Sequence, residues 1–218
     1  MAQLADYDTL KAAVLTWSAR SDTTFRSQFD VLLALAEERL YLGAGKIDDP
    51  TFTEPLRSSV METTGTITMT DGEGDVPSNC LGFVKLYPTG GTIGTTGVTP
   101  ERFAELDATL SGGQTLYHTV EARRIKVLPR LTGNLEATYY QRFDAITSSN
   151  KTGPLIIEHG LIYLPAVLFE GFSFMQEADL AAGHLARMRG MIAGANKTGV
   201  DLTFSGPQRV RPRVVIGG

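Results

Sequence analysis

The residue types that most often do chemistry in proteins are few and scattered in this chain. Its histidines are His118, His159 and His184, and Cys80 is its one cysteine. None of the three histidines belongs to a metal or triad motif, and Cys80 has no partner at ligand spacing. We therefore expect structural or surface roles for these residues, and we predict no catalytic group, no metal site and no cofactor.

Two glycine-containing segments could be mistaken for ligand sites. The sequence DGEGD at 71–75 carries three carboxylates, but it lacks the downstream glutamate that a calcium loop requires, and its glycines suit a tight turn. The glycine and threonine tract at 89–97 is not followed by the lysine and serine or threonine of a phosphate-binding loop. We predict a plain turn and a mobile loop.

A cluster of charges lies within the second predicted helix. Glu37 and Glu38 fall beside Arg39, on what the pattern makes the polar side of that helix. A solvated face or an ion pair between subunits is expected there, because adjacent charges on a helix surface usually face water. Acid and base catalysis is not predicted.

Composition and charge limit the classes of protein. The chain has 218 residues, 42% hydrophobic residues and a net charge of −4. This suits one domain, or one core with an inserted subdomain, and gives no overall cationic surface for duplex DNA. Residues 1–9 do not resemble a signal peptide, and a single cysteine cannot form an internal disulfide, so a cytoplasmic chain is expected.

The terminal regions show helical periodicity. One short helix is expected after the candidate caps Asp6 and Asp8, and a second from Ser21 or Asp22 to a stop at Gly43. Two more helices follow Pro154, with a break near Asp179. If Pro165 lies in a first turn, where its missing N–H costs little, the third helix begins later than the periodicity suggests. The apolar stretch within it is interrupted and predicts a buried helix, not a membrane span.

The middle of the chain changes to strand patterning. Residues 64–70 alternate polar and apolar side chains, and further strands are predicted at 81–87, 115–120, 124–128 and 135–143. A short helix is expected at 100–110, with Pro100 in its first turn. The fold class is therefore α+β, in which terminal helices form a bundle around an inserted small antiparallel β domain. The predicted regions are 1–56, 57–150, 151–198 and an extended tail at 199–218.

The extended tail is the one segment with a distinct interaction pattern. Apolar and basic residues alternate in it, as expected of an edge strand that docks on a partner. The alternative is a disordered terminus. The predicted docking residues are Arg209, Val210, Arg211, Arg213, Val214, Val215 and Ile216.

Taken in order, these segments resemble the head-to-tail adaptor (head completion or connector) family of short-tailed phages and gene transfer agents. The resemblance rests on order and spacing, and it covers DYDTLKAAVLTWSARSD, FDVLLALAEERLYLGAG, EPLRSSVMETTGTITM, VPSNCLGFVKLYP, TLYHTVEARRIKVLP, LEATYYQRF and GLIYLPAVLFEGFSFM to ARMRGMIAGANK. Two departures are noted: 89–113 is longer than the family pattern needs, and the basic tail after Gly199 looks particular to this chain.

The resemblance implies a non-enzymatic structural subunit of the virion, assembled in the host cytoplasm. It implies a homo-oligomeric ring of about twelve copies that binds the portal protein above and a tail or nozzle protein below. DNA would pass through the channel transiently and without specific contacts, and no membrane is involved.

Two other functions remain open at this point. A tail or nozzle component could bind a host receptor through the β domain, using tyrosines such as Tyr139 and Tyr140. An unrecognised hydrolase could use His118 and Glu121, although no nucleophile stands near them in the sequence.

Overall fold

The protein is a mixed α+β structure. The computed structural model describes residues 4–19, 23–91, 93–109 and 115–203. Within those residues it has six α-helices and two small sheets, which confirms the predicted α+β class. The helices are α1 (Tyr7–Trp17), α2 (Thr23–Ser27), α3 (Phe29–Leu42), α4 (Pro100–Thr109), α5 (Pro154–Phe174) and α6 (Ala178–Thr203). The strands are β1 (Glu62–Met69), β2 (Glu73–Asp75), β3 (Cys80–Pro88), β4 (Thr95–Gly97), β5 (Leu116–Glu121), β6 (Arg124–Leu128) and β7 (Gly133–Gln141).

The first helices begin and end at the predicted signals. Asp6 caps α1, because its carboxylate accepts a hydrogen bond of 2.8 Å from the backbone N–H of Thr9 in a capping box. The second predicted helix is interrupted at Gln28, which separates α2 from α3. α3 ends at Gly43, whose φ of +72° suits glycine. The helical periodicity of apolar residues in this region predicts one buried stripe, and it is buried along both pieces: Phe25, Phe29, Leu32, Leu33, Ala36 and Leu40.

Two sheets replace the single antiparallel sheet predicted for the middle of the chain. One has the strand order β1-β7-β3 and is antiparallel, and the other has the order β2-β6-β5-β4. The prediction of a wholly antiparallel region is wrong at β4, which pairs parallel to β5. The segment between these two strands contains α4, and such a crossover is what a parallel pair requires.

Two predicted loops contain short strands. Asp71 and Gly72 both have positive φ and form the expected turn, but residues 73–75 of the DGEGD sequence belong to β2. The tract predicted as a mobile loop at 89–97 likewise ends in β4. Both strands are three residues long, which is too short to give a period-2 pattern.

The C-terminal helices differ from the prediction at their boundaries. α5 begins at Pro154 and contains Pro165 in its interior, so Pro165 does not lie in a first turn and the start of the helix is not delayed. The helix is kinked at His159, whose φ and ψ are non-helical. The turn between α5 and α6 lies at 175–177, just before the predicted break. α6 then runs to Thr203, past the predicted start of the extended tail at Gly199.

The buried side chains form separate cores. Helices from both ends of the chain share one core, which includes Leu10, Leu33, Tyr163 and Leu168. A second core lies between the two sheets, and Ile67, Leu86, Ile125 and Leu135 contribute to it. α5 is long and apolar enough to cross a membrane by length and composition, but 72% of its most apolar window is buried inside the protein. The predicted buried helix is thereby confirmed.

Candidate functional site

The predicted docking residues of the tail lie outside the described residues. The backbone is described as far as Thr203, and Arg209, Val210, Arg211, Arg213, Val214, Val215 and Ile216 follow it. Their role in docking therefore stays a prediction.

The histidines and the cysteine occupy separate local environments. His118 Nδ1 lies 2.8 Å from the hydroxyl of Thr95, and His159 Nε2 lies 2.6 Å from the hydroxyl of Ser58. The ring of His184 stacks on a phenylalanine of α5. Burial lowers the pKa of all three imidazoles and raises the pKa of the half-buried Cys80 thiol. Within the described part of the chain, no group of three His, Cys, Asp or Glu side chains could hold a metal ion.

The residues of the hydrolase alternative are not arranged for catalysis. His118 and Glu121 are both on β5 but three positions apart, so their side chains leave the strand on opposite faces. Glu121 forms an ion pair of 2.5 Å with Lys126. The two side chains therefore do not form an acid–base pair.

Glu37 is the titratable residue whose environment was predicted wrongly from the sequence. It was expected on a solvated face, but it is 3% exposed and packs inside the helical core. Its carboxylate oxygens lie 3.3 and 3.4 Å from the backbone N–H of Ile146, and one accepts from the hydroxyl of Tyr163 at 3.3 Å. Burial is the largest influence and raises the pKa of Glu37 to about 7. No sequence signal marked this position, because Glu37 is the first of three consecutive charged residues.

The other two charges of this cluster pair within the chain, although only Glu38 is exposed and Arg39 is mostly buried. Glu38 accepts from Arg142 at 2.6 Å, and the Arg142 guanidinium also stands over the ring of Tyr41. Arg39 donates to Glu170 of α5 at 2.7 Å. The prediction of an ion pair between subunits has no support from these pairs, since both join elements of one subunit.

A cleft of about 520 Å³ lies between α4 and the four-stranded sheet. Arg130 lies 3.1 Å from Asp71 and 3.6 Å from Asp107 across it. The acidic and basic side chains that line the cleft thus pair with one another. The cleft therefore presents neither a positive nor a negative surface that would select a charged ligand.

The outer face of α3 exposes large aliphatic side chains. Val31, Leu35 and Leu42 are 54%, 50% and 56% exposed, and their spacing of four and seven residues places them on one face. We call these three residues the α3 outer stripe. Aliphatic side chains aligned on a rigid helix are a common feature of protein interfaces.

A groove runs along α6, opposite the loop that follows α3. On one side stand Pro50, Thr51 and Phe52, and on the other a face of α6 with Ala178, Ala182, Leu185, Arg189 and Ala193. Arg189 donates to the carbonyl of Pro50 at 2.6 Å and divides the groove into cavities of about 430 and 210 Å³. We call this feature the α6 groove.

These features define a protein whose described residues present interaction surfaces and no clustered catalytic side chains. The sequence model of one family, described as SU10 adaptor protein, matches residues 5–211. The chain therefore belongs to the SU10 adaptor family, which confirms the resemblance to phage head-to-tail adaptors. A search of curated proteins found no match. The family match continues to residue 211. The expectation that the tail after Gly199 is particular to this chain is therefore wrong for its first part.

Proposed function

We propose that this protein is the subunit of a ring that joins the phage portal to the tail. About twelve copies would surround a channel through which the genome passes, with the portal on one ring face and a tail or nozzle protein on the other. The observation that carries the proposal is the adaptor family match over residues 5–211. The role is mechanical and requires neither catalysis nor a cofactor, and the subunit is a virion component assembled in the host cytoplasm.

The same proposal includes the division of the subunit into a helical bundle and an inserted domain. The terminal regions 1–56 and 151–198 form the helical bundle of the ring, and 57–150 forms an inserted domain that projects from it. The shared core of the first and last helices supports this division, as does the separate core between the sheets.

Two surfaces are proposed for assembly. The α3 outer stripe is covered by a neighbouring copy, since side-by-side packing in a ring would bury its three exposed aliphatic side chains. The tail after Thr203 crosses to a neighbouring subunit or to the portal, as its alternating basic and apolar residues suit strand addition.

The test is the mass and symmetry of the purified chain with and without the portal, by native mass spectrometry and electron microscopy class averages. A ring that caps the portal is expected. A monomer or trimer that ignores the portal would refute the adaptor role. A chain truncated after Thr203 keeps α6 whole, and unchanged portal binding by that variant would refute the tail contact.

No observation favours the receptor-binding alternative. Tyr139 is buried, and the Arg57 guanidinium covers the ring of Tyr140 at 5.6 Å. These two tyrosines therefore do not form the exposed aromatic cluster that saccharide binding would require.

A further inference from the structure

The α6 groove has the length and lining of a site for an extended peptide. From Ala178 to Ala193 the helix rises about 22 Å, which an extended segment of about seven residues would span. The groove floor is made by aliphatic and aromatic side chains, among them Phe169 and Leu185. The Nε atom of Arg189 is buried at its middle and has no hydrogen-bond partner in the described part of the chain. The Arg189 guanidinium crosses the groove to the carbonyl of Pro50, so a docked segment would pass over this side chain.

The last residues of the chain carry a matching pattern. In an extended segment alternate side chains face opposite sides, so Val210, Pro212, Val214 and Ile216 would share one side. Arg209, Arg211 and Arg213 would share the other side with Val215. The first side suits the apolar floor of the groove, and the second would remain at its edge.

The charges around the groove complement that segment. Glu54 lines the groove, and three further exposed acidic residues are close in sequence to its lining residues Pro50 and Ala178: Asp48, Asp49 and Asp179. Three arginines alternating along one side of a docked segment would face these carboxylates, whereas an acidic or uncharged segment would not gain this attraction.

The reach from the end of α6 fits the chain's own tail. Thr203 lies about 15 Å beyond Ala193 along the helix, so returning to Ala182 requires about 32 Å. Residues 204–216 span at most about 43 Å when extended. Gly206 and Pro207 are residue types suited to a reversal at the start of that path. A tethered segment also has an effective concentration of about 1 mM or more, which favours it over the tail of another copy.

We infer that residues 209–216 dock in the α6 groove of their own subunit, antiparallel to α6, before assembly. The docked segment shields the apolar floor and keeps the tail from other surfaces. It rests on the proposed function only in this respect: if the tail reaches a neighbour or the portal in the particle, it must first leave the groove. Tail release is then a step of assembly.

Engineered disulfides test this inference in the full chain without portal. In a Cys80→Ser background, Ala182→Cys is combined with Ile216→Cys, because the reach places Ile216 near that end of the groove. The matched control combines Gly183→Cys with Ile216→Cys. Gly183 is the next residue of α6, a β-carbon there contacts nothing, and it points about 100° away from the direction of Ala182. Oxidation products are read by mass spectrometry as intrachain or interchain disulfides.

The expected result is an intrachain disulfide for the Ala182 pair, at least about tenfold faster than for the Gly183 pair and independent of protein concentration. Adding Val210→Asp and Val214→Asp should slow it by about tenfold, because both side chains would leave the apolar floor. Equal rates for the two pairs would overturn the inference. Interchain disulfides that increase with concentration would assign the groove to the tail of a second copy. Neither failure bears on the ring, which is measured separately with the portal.

Discussion

A single carboxyl group ties the helical core to the segment that leads out of β7. Glu37 of α3 accepts from the backbone N–H of Ile146 and from the hydroxyl of Tyr163 of α5. The phenol of Tyr41 lies in the same core. Burial raises its pKa to about 12, so it stays protonated at physiological pH. Because burial also raises the pKa of Glu37 from 4.5 to about 7, the carboxyl keeps its proton in the folded state up to near-neutral pH.

This raised pKa predicts a pH-dependent stability. The unfolded state ionises more readily than the folded state, so the stability that Glu37 contributes is fully present below about pH 4.5 and is lost as the pH rises through about 7. The full difference is on the order of 3 kcal/mol. Glu37→Gln should remove this dependence and raise the free energy of unfolding at pH 8 relative to the wild type, with little change at pH 4, as measured by urea denaturation.

The neighbouring residue provides the control. Glu38→Gln changes the same functional group one position along α3, but Glu38 is exposed and its ion pair with Arg142 lies at the surface. We expect an effect below about 1 kcal/mol at both pH values. If Glu37→Gln and Glu38→Gln gave the same pH profile, the interior carboxyl would not be the source of the dependence.

At the scale of elements, one side chain of α6 holds the segment that enters the β region. Asn196 accepts from the backbone N–H of Arg57 at 2.6 Å and donates to the carbonyl of Pro55 at 3.1 Å. The Arg57 guanidinium in turn donates to the carbonyls of Tyr41 and Leu56. The last helix, the end of α3 and the start of the middle region are thus joined through backbone groups.

Asn196→Ala should therefore destabilise the subunit by about 1 to 3 kcal/mol, because it leaves a part-buried N–H and a carbonyl without their partner. Lys197→Ala changes the next, exposed residue of the same helix and should stay within about 0.5 kcal/mol of the wild type. Both are measured by chemical denaturation. Equal stabilities for the two variants would mean that water replaces Asn196 at no cost.

The sequence predicted helices and strands correctly where the regular spacing of apolar residues extends over enough positions to be recognised. The helices in Tyr7–Leu42 and after Pro154 follow from apolar residues at helical spacing, and β6 was predicted at its observed bounds. The three-residue strand β4 and its parallel pairing were missed, because partner choice depends on contacts distant in sequence. Glu37 was misplaced for a similar reason: burial of a carboxyl needs Ile146 and Tyr163, which only the folded chain brings to it.

The candidate site was predictable only in part. The family resemblance came from the order of segments and is confirmed, but surfaces could not be derived from it. Val31, Leu35 and Leu42 belong to a helix whose other large apolar residues are buried, and composition does not separate the two sets. The α6 groove forms between residues more than a hundred positions apart, such as Pro50 and Leu185, and has no local signature.

At the scale of the whole molecule, the α3 outer stripe predicts how copies associate. Leu35→Asp should weaken ring formation by at least about tenfold, since a carboxylate would be desolvated against aliphatic side chains of the neighbour. The melting temperature of the isolated subunit should change little, because Leu35 is half exposed. Native mass spectrometry over a dilution series measures the ring fraction.

The matched change is Ile47→Asp, which places the same charge on an aliphatic residue that is 82% exposed in the loop after α3. This variant should assemble like the wild type. Equal loss of rings in both variants would indicate a general effect of charge, and unaffected rings in Leu35→Asp would place the neighbouring copy elsewhere.

The core shared by the two ends of the chain also sets the order of events during synthesis. α3 is complete at Leu42, but α5, against which it packs, begins only at Pro154. At ordinary translation rates the ribosome needs roughly 5 to 20 seconds to make the intervening residues. During that interval the apolar faces of α1 and α3 lack the helix that covers them in the folded chain. The nascent chain is therefore most vulnerable to aggregation, and most dependent on chaperones, before its final quarter has been translated.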